Sequence, residues 1–248
     1  MTVRTDWYPV FLREMLMFRH KLLHVSYLVS AMVTPVIYLV TFGFGLGSSV
    51  RIQGKTYLAF LIPGLVAMTS MNNSYGWVAT SLNLNRLYLR TFQVLVQAPI
   101  RAGSILIGEV LAAMVKGLFA SILIVGIGYI AGSFSMTLVF ILALLVNCLL
   151  FANLGVIVGM CSKSHEDTGT YSNFLIMPMA FLSGTFFQVD RMPRVVKAII
   201  YVLPLTHTNI LIRKQFMDPQ AWGALAVLIG YAAAFSLFAL RLIRRYNE

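Results

Sequence analysis

Few residues in this chain have types and spacing that could do chemistry. His165-Glu166-Asp167 places one imidazole beside two carboxylates. Zinc would need a second histidine one helical turn away or a nearby cysteine pair, and neither is present. Ser164 and Asp167 instead have the spacing of a capping box, which opens a helix by satisfying its first backbone N–H groups. Gly43-Phe44-Gly45-Leu46-Gly47 is glycine-rich, but it closes an apolar run and no strand precedes it. It reads as a helix end breaking into a turn, and no G-x-x-x-x-G-K-[ST] phosphate loop occurs anywhere. Asn72-Asn73-Ser74 matches a glycosylation sequon but lies inside an apolar segment. With no serine, cysteine or carboxylate in a nucleophile arrangement, enzyme chemistry has no support.

What remains are polar groups embedded in apolar sequence. Glu109 and Lys116 fall on one face of the same apolar run, roughly 10 Å apart along a helix. That is too far for a tight ion pair, and each is costly at membrane depth, about 2.5–3.5 kcal/mol on insertion scales for Lys or Asp. Each therefore needs water, another helix or a subunit interface. Thr69, Ser70, Asn72, Asn73 and Ser74 interrupt another run, either as hydrogen-bonding glue between helices or as the lining of a hydrated path. Gly126 and Gly128 suit close helix packing. Cys148 and Cys161 lie roughly 20 Å apart on one segment, too far for a disulfide within the chain.

The elements that must position these groups are membrane spans. The chain is 59% hydrophobic and 11% charged, with mean hydropathy +0.82, where a soluble domain carries roughly a quarter charged residues. Runs long enough to cross a bilayer occupy 25–46, 57–81, 104–131, 136–161, 170–188 and 221–242. The net charge of +11 is dispersed between apolar blocks, which points to a membrane surface and away from nucleic acid. The N-terminus leads into an amphipathic stretch, without the apolar core and small-residue site of a cleavable signal peptide. With both termini in the cytoplasm, eleven Lys and Arg fall inside (Arg4, Arg13, Arg19, Lys21, Arg86, Arg90, Arg101, Lys163, Arg241, Arg244, Arg245) and seven outside. The outside seven include five in one broken stretch, 190–219, that works against the bias: Arg191, Arg194, Lys197, Arg213 and Lys214.

Two segments are amphipathic without spanning. In 1–24, Phe11, Met15, Phe18 and Leu22 recur at helical spacing opposite Arg13, His20 and His24, the pattern of an interfacial helix on the inner leaflet. In 83–99, Leu84, Leu87, Tyr88, Leu95 and Val96 oppose Arg86, Arg90, Gln93 and Gln97. A basic amphipathic helix of this kind rests on anionic lipid or docks onto a soluble partner.

This arrangement resembles the type-2 ABC transporter permeases over nearly the whole chain. Phe181-Leu182-Ser183-Gly184-Thr185-Phe186-Phe187, Met192-Pro193 and Leu203-Pro204-Leu205-Thr206-His207 look like the family's C-terminal signature, a re-entrant hairpin before the last helix. Arg90-Thr91-Phe92-Gln93-Val94-Leu95 with Ala98-Pro99-Ile100 resembles its coupling-helix segment, with Gln93 where an acidic residue is common and Gln188 where a proline is frequent. Tyr57-Leu58-Ala59-Phe60-Leu61 and Gly108 to Lys116 look closest to permeases that export nodulation lipo-oligosaccharides. The resemblance implies a single all-α domain over 1–248: six transmembrane helices, an interfacial helix at 1–24, a coupling helix at 83–99 and a re-entrant region at 189–219. It implies an inner-membrane exporter subunit for a glycolipid, polysaccharide, lipid or drug. That subunit would pair as a homodimer with two ATPase subunits, which hold the ATP and Mg; this chain itself would bind no cofactor or metal. Arg86, Arg90 and Gln93 would then lie near the ATPase, and Asn72, Asn73, Glu109 and Lys116 on the translocation path or dimer interface. The rival from another class is a stand-alone ion-coupled carrier that uses Glu109 and Lys116 as its relay.

Overall fold

A computed structural model describes residues 6–22, 33–45, 51–52, 55–130 and 136–247. The fold is all-α apart from a short antiparallel pairing of β1 (Arg51–Ile52) with β2 (Lys55–Thr56). The helices are α1 (Trp7–Leu22), α2 (Val33–Gly43), α3 (Tyr57–Leu87), α4 (Thr91–Gln97), α5 (Ala102–Ile130), α6 (Leu138–Cys161), α7 (His165–Tyr171), α8 (Met177–Leu182), α9 (Arg194–Val202), α10 (Pro204–Ile212) and α11 (Pro219–Asn247). Of these, α5, α6 and α11 are long and apolar enough to cross a membrane, and the bent pair α9–α10 makes a fourth candidate. The first expected span, 25–46, lies partly outside the described residues; its described part is α2.

Helix α3 is the axis of the bundle. Residues 61 to 71 are buried without interruption, so it has no solvent or lipid face there. Small residues let its neighbours approach: a Cβ added to Gly155 of α6 would sit 2.6 Å from the Tyr75 carbonyl oxygen. Without a hydrophobic force between helices in lipid, such close packing and buried hydrogen bonds hold the bundle. Asn147 of α6 supplies them, its Nδ2 donating to Ala67 O (3.0 Å) and Ser70 Oγ (2.7 Å), while its Oδ1 accepts from Thr208 of α10 (2.8 Å).

The bundle has two ends. At one, Asn83 donates to Ser164 O and Arg86 to Ser162 O, joining the close of α3 to the α6–α7 turn. The expected capping box is there, with Asp167 N donating to Ser164 Oγ at 3.1 Å. From it the chain runs through α7, a π segment (Ser172–Ile176) and α8. The fifth apolar segment is thus helical over 165–182 rather than 170–188. It stops early because Gly184 has φ +74°, a conformation that side chains resist, and a Cβ there would meet Val189 at 2.6 Å. At the other end, Tyr57 OH donates to Phe186 O (2.8 Å), and Arg213 stacks on the Phe60 ring (3.9 Å) while donating to the carbonyls of Gly184, Thr185 and Phe60.

The segment 83–99 is not one helix. Tyr88 N and Leu89 N both donate to Leu84 O, and Arg90 adopts φ +53°, which ends α3 before α4 begins. The faces assigned on one helical wheel are therefore split between two helices.

Because Gly155 meets backbone rather than a side chain that could move, Gly155→Val should cost about 1–3 kcal/mol by overpacking. A lowered unfolding midpoint in detergent checks this; an unchanged midpoint would show that α3 and α6 are not in contact there.

Candidate functional site: a buried charge cluster and a polar cleft

Helix α1 is built inside out. Arg13 and Glu14 face protein, and Tyr8, Leu12, Leu16 and Met17 face outward. The buried stripe is Val10, Glu14 and Phe18, which shares only Phe18 with the apolar face expected from periodicity. Arg13, expected to face water, points into the bundle. The helix can approach because α5 presents Gly108, where a Cβ would lie 2.7 Å from Val10 Cβ.

Four charges meet at this contact. Arg13 Nη2 donates to Glu109 Oε1 (2.7 Å) and to Glu14 Oε1 (3.0 Å), and Lys116 Nζ donates to Glu14 Oε2 (2.8 Å). Ser81 of α3 adds a weaker contact to Glu14 at 3.4 Å. Glu14, Glu109 and Lys116 are 2%, 1% and 1% exposed. Lys116 also lies 4.7 Å over the Trp77 ring, which Lys21 approaches at 4.3 Å. Glu109 and Lys116 do not bond each other; Arg13 and Glu14 join them, and two cations balance two anions. Burial pushes the Glu14 carboxyl up, but Lys116 and Arg13 outweigh it and hold it below the ordinary 4.5. A depressed carboxylate contributes stability above its unfolded pKa that is lost as pH falls through the folded one. Glu14 thus holds α1 down to below pH 4.5.

Asn72 and Asn73 are elsewhere. They line a cleft of about 290 Å³ between α2 and α3, with Thr34, Pro35, Tyr38, Leu65, Met68 and Thr69. Hydroxyls, amides and apolar carbons form this lining, and among the described residues no charged side chain does. Of the four residues assigned to a path or interface, the structure therefore brings Asn72 and Asn73 to the cleft and sends Glu109 and Lys116 to α1.

The three residues expected near an ATPase also separate. Arg86 donates to Ser162 O, and Gln93 Nε2 donates to Arg86 O (2.9 Å) and Tyr246 OH (3.0 Å), so both serve as internal ties. Arg90 is exposed, beside an apolar patch of Leu84, Tyr88, Leu89 and Val94. Phe92 anchors α4 from below, fully buried with its ring 5.2 Å from Tyr246.

The chain is thus a helical bundle with at least three helices able to cross a membrane, a broken hairpin at one end and a short anchored helix at the other. The profile of the ABC-2 type transporter family matches residues 12–217, and the chain belongs to that family. It is 28% identical over 227 residues to the inner membrane transport permease YadH of Escherichia coli (strain K12), covering 89% of this chain and 88% of that one. It is 30% identical over 257 residues to nodulation protein J of Rhizobium leguminosarum bv. viciae (97% and 94% covered). To nodulation protein J of Rhizobium meliloti (strain 1021) it is 31% identical over 214 residues (84% and 80%).

Sequence reasoning missed Glu14, Asn147 and Arg213. Glu14 carried a signal, since a carboxylate on the stripe of Val10 and Phe18 has a four-residue period with them. Glu14→Gln leaves Lys116 buried without its carboxylate and should cost about 3–5 kcal/mol. The double change Glu14→Gln/Lys116→Met should recover much of that loss in thermal unfolding. Losses that simply add would show that the two groups do not interact.

Proposed function

We propose that this chain is the six-span transmembrane subunit of an ATP-binding-cassette exporter, working as a homodimer with two ATPase subunits in the inner membrane. Both termini and α4 face the cytoplasm, and α9–α10 is the re-entrant hairpin on the far side. ATP and Mg are held by the ATPase. The observation that carries this reading is the α3–α4 turn. Leu84 at the end of α3, Tyr88 and Leu89 in the turn and Val94 on α4 are exposed apolar side chains close in sequence to Arg90, and α4 is fastened to the bundle by Phe92 and Gln93. A mobile loop would absorb a push from a partner, whereas this one passes it to α3 through Arg86 and to α11 through Tyr246. The cleft, uncharged among its described lining residues, fits an amphipathic substrate with hydroxyl or amide groups such as a glycolipid.

The rival, an ion-coupled carrier, requires Glu109 and Lys116 to exchange ions with water. Their engagement by Arg13 and Glu14 favours a structural role instead. Transport that persisted with the ATPase deleted would favour the carrier.

Leu89→Glu and Val94→Glu place charge in the patch without touching the core. Co-purification with the co-expressed ATPase should weaken by on the order of tenfold or more, with membrane insertion retained. Undiminished co-purification and ATPase stimulation would make the patch a lipid contact and overturn the docking assignment.

A further inference from the structure

The four-charge cluster is neutral, which leaves Lys21 of α1 over. Its side chain is exposed, its Nζ lies 4.3 Å from the centre of the Trp77 ring, and among the described residues it forms no salt bridge. The acids that could answer it are committed elsewhere. Glu14 and Glu109 are held by Arg13 and Lys116, Glu166 and Asp167 open α7 at the α4 end, and Asp190 and Asp218 pair with Lys197 and Lys214. Asp6 precedes α1, fifteen residues or about 22 Å back along the helix from Lys21. Of the eight Asp and Glu only the terminal Glu248 lies outside the described residues, and the segment 23–32 that follows α1 contains no acid.

Lys21 also sits deep. Helix α1 runs alongside α5 in the same direction: Val10 packs on Gly108, Glu14 meets Lys116, and the Phe18 ring is 5.7 Å from that of Phe119. Against α3 it runs the opposite way, from Ser81 beside Glu14 to Trp77 beside Phe18 and Lys21. Trp77 is ten residues, about 15 Å, from the α4 end of α3. Lys116, which shares its ring, is fourteen residues, about 21 Å, from the α4 end of α5. Helix α6 of the same bundle has 24 residues, a length of about 36 Å. The Lys21 ammonium is therefore near mid-depth and not at headgroup level. A lysine there is costly, and attraction to one aromatic face offsets only part of that cost. Lys116, at 4.7 Å from the same ring, adds repulsion. Asn73 and Trp77 stand four residues apart on one face of α3, so the Asn72–Asn73 end of the cleft lies about 6 Å along the helix from this cation.

We propose that Lys21 is the anion-binding residue of the substrate site, so that the transported amphiphile is negatively charged. Its phosphate or sulfate pairs with Lys21, and its neutral polar part meets Asn72 and Asn73. This rests on the reading of the cleft as the substrate's place and adds the substrate's charge class. Depth selects the occupant. A resident phospholipid keeps its headgroup at the bilayer surface, about 15 Å from the midplane, whereas a headgroup in transit passes mid-depth. A second copy of the chain offers no answering carboxylate, because its acids at this level, Glu14 and Glu109, are buried in its own cluster.

The test uses the full chain without an ATPase, in phosphatidylcholine nanodiscs. Trp7→Phe and Trp222→Phe leave Trp77 as the one tryptophan of the chain's three. Dodecyl phosphate and dodecyl maltoside, each brominated beside the headgroup, are compared as quenchers of its fluorescence. The phosphate should reach half-quenching at a concentration about fivefold lower than the maltoside. Lys21→Gln should remove that preference, and Lys21→Arg, which keeps the charge, should retain it. Equal quenching by the two probes, or a preference that survives Lys21→Gln, would overturn the anion site. Displacement of the phosphate probe by unbrominated phosphatidylglycerol at low mole fraction would assign the cation to a bilayer phospholipid and overturn its role in transport. Failure of the probe to bind would leave co-purification with the ATPase intact, so the site and the docking at α4 fail separately.

Discussion

A charge in a bilayer must be balanced where it sits, and in this protein that constraint is met by a helix that does not span. Glu109 and Lys116 belong to α5, two helical turns apart and unable to reach each other. Arg13 and Glu14 of α1 complete a neutral set of four, at contacts of 2.7 to 3.0 Å. The position of α1 is thereby fixed by electrostatics as well as by Val10 and Phe18, while Leu12, Leu16 and Met17 are turned outward. Trp77 and Ser81 extend the contact to α3, so α1, α3 and α5 share one buried polar centre.

The same logic recurs at each level of the bundle. Asn147 ties α3, α6 and α10 in the interior, where its amide has no water to turn to. Arg213 secures the hairpin by stacking on Phe60 and filling carbonyls left bare by the turn at Gly184. Gln93 secures α4 to α11 through Tyr246. These ties cost little where each donor meets an acceptor, and an unsatisfied group in lipid costs several kcal/mol. They also place connections from the α3–α4 turn into two long helices.

Much of the fold was legible in the sequence because apolar run length is a strong signal. The runs at 104–131, 136–161 and 221–242 emerge as α5, α6 and α11, and the broken signature after 181 emerges as two helices bent by 91°. The Ser164–Asp167 capping box was also legible, since its chemistry is local. What escaped were properties set by partners distant in sequence. Periodicity gave α1 an apolar side but could not say that Arg13 would find Glu109, 96 positions away. Helical spacing joined 83–99 into one helix because nothing in Arg90 marks it for a left-handed backbone. Arg86 and Gln93 therefore looked solvent-facing when they are internal ties. Asn72 and Asn73 were readable as polar groups at membrane depth, while their separation from Glu109 and Lys116 depended on where α1 docks.

The central claim is that the four-charge cluster seats α1 on α5. A charge exchange tests it most directly: Glu14→Lys combined with Lys116→Glu, followed by thermal unfolding of the purified protein. Each reversal alone confronts like charges in a buried site and should lower the midpoint sharply. The combined exchange should restore most of what either single change loses. An exchange no more stable than the worse single variant would contradict the account, because Glu14 and Lys116 would then not be paired.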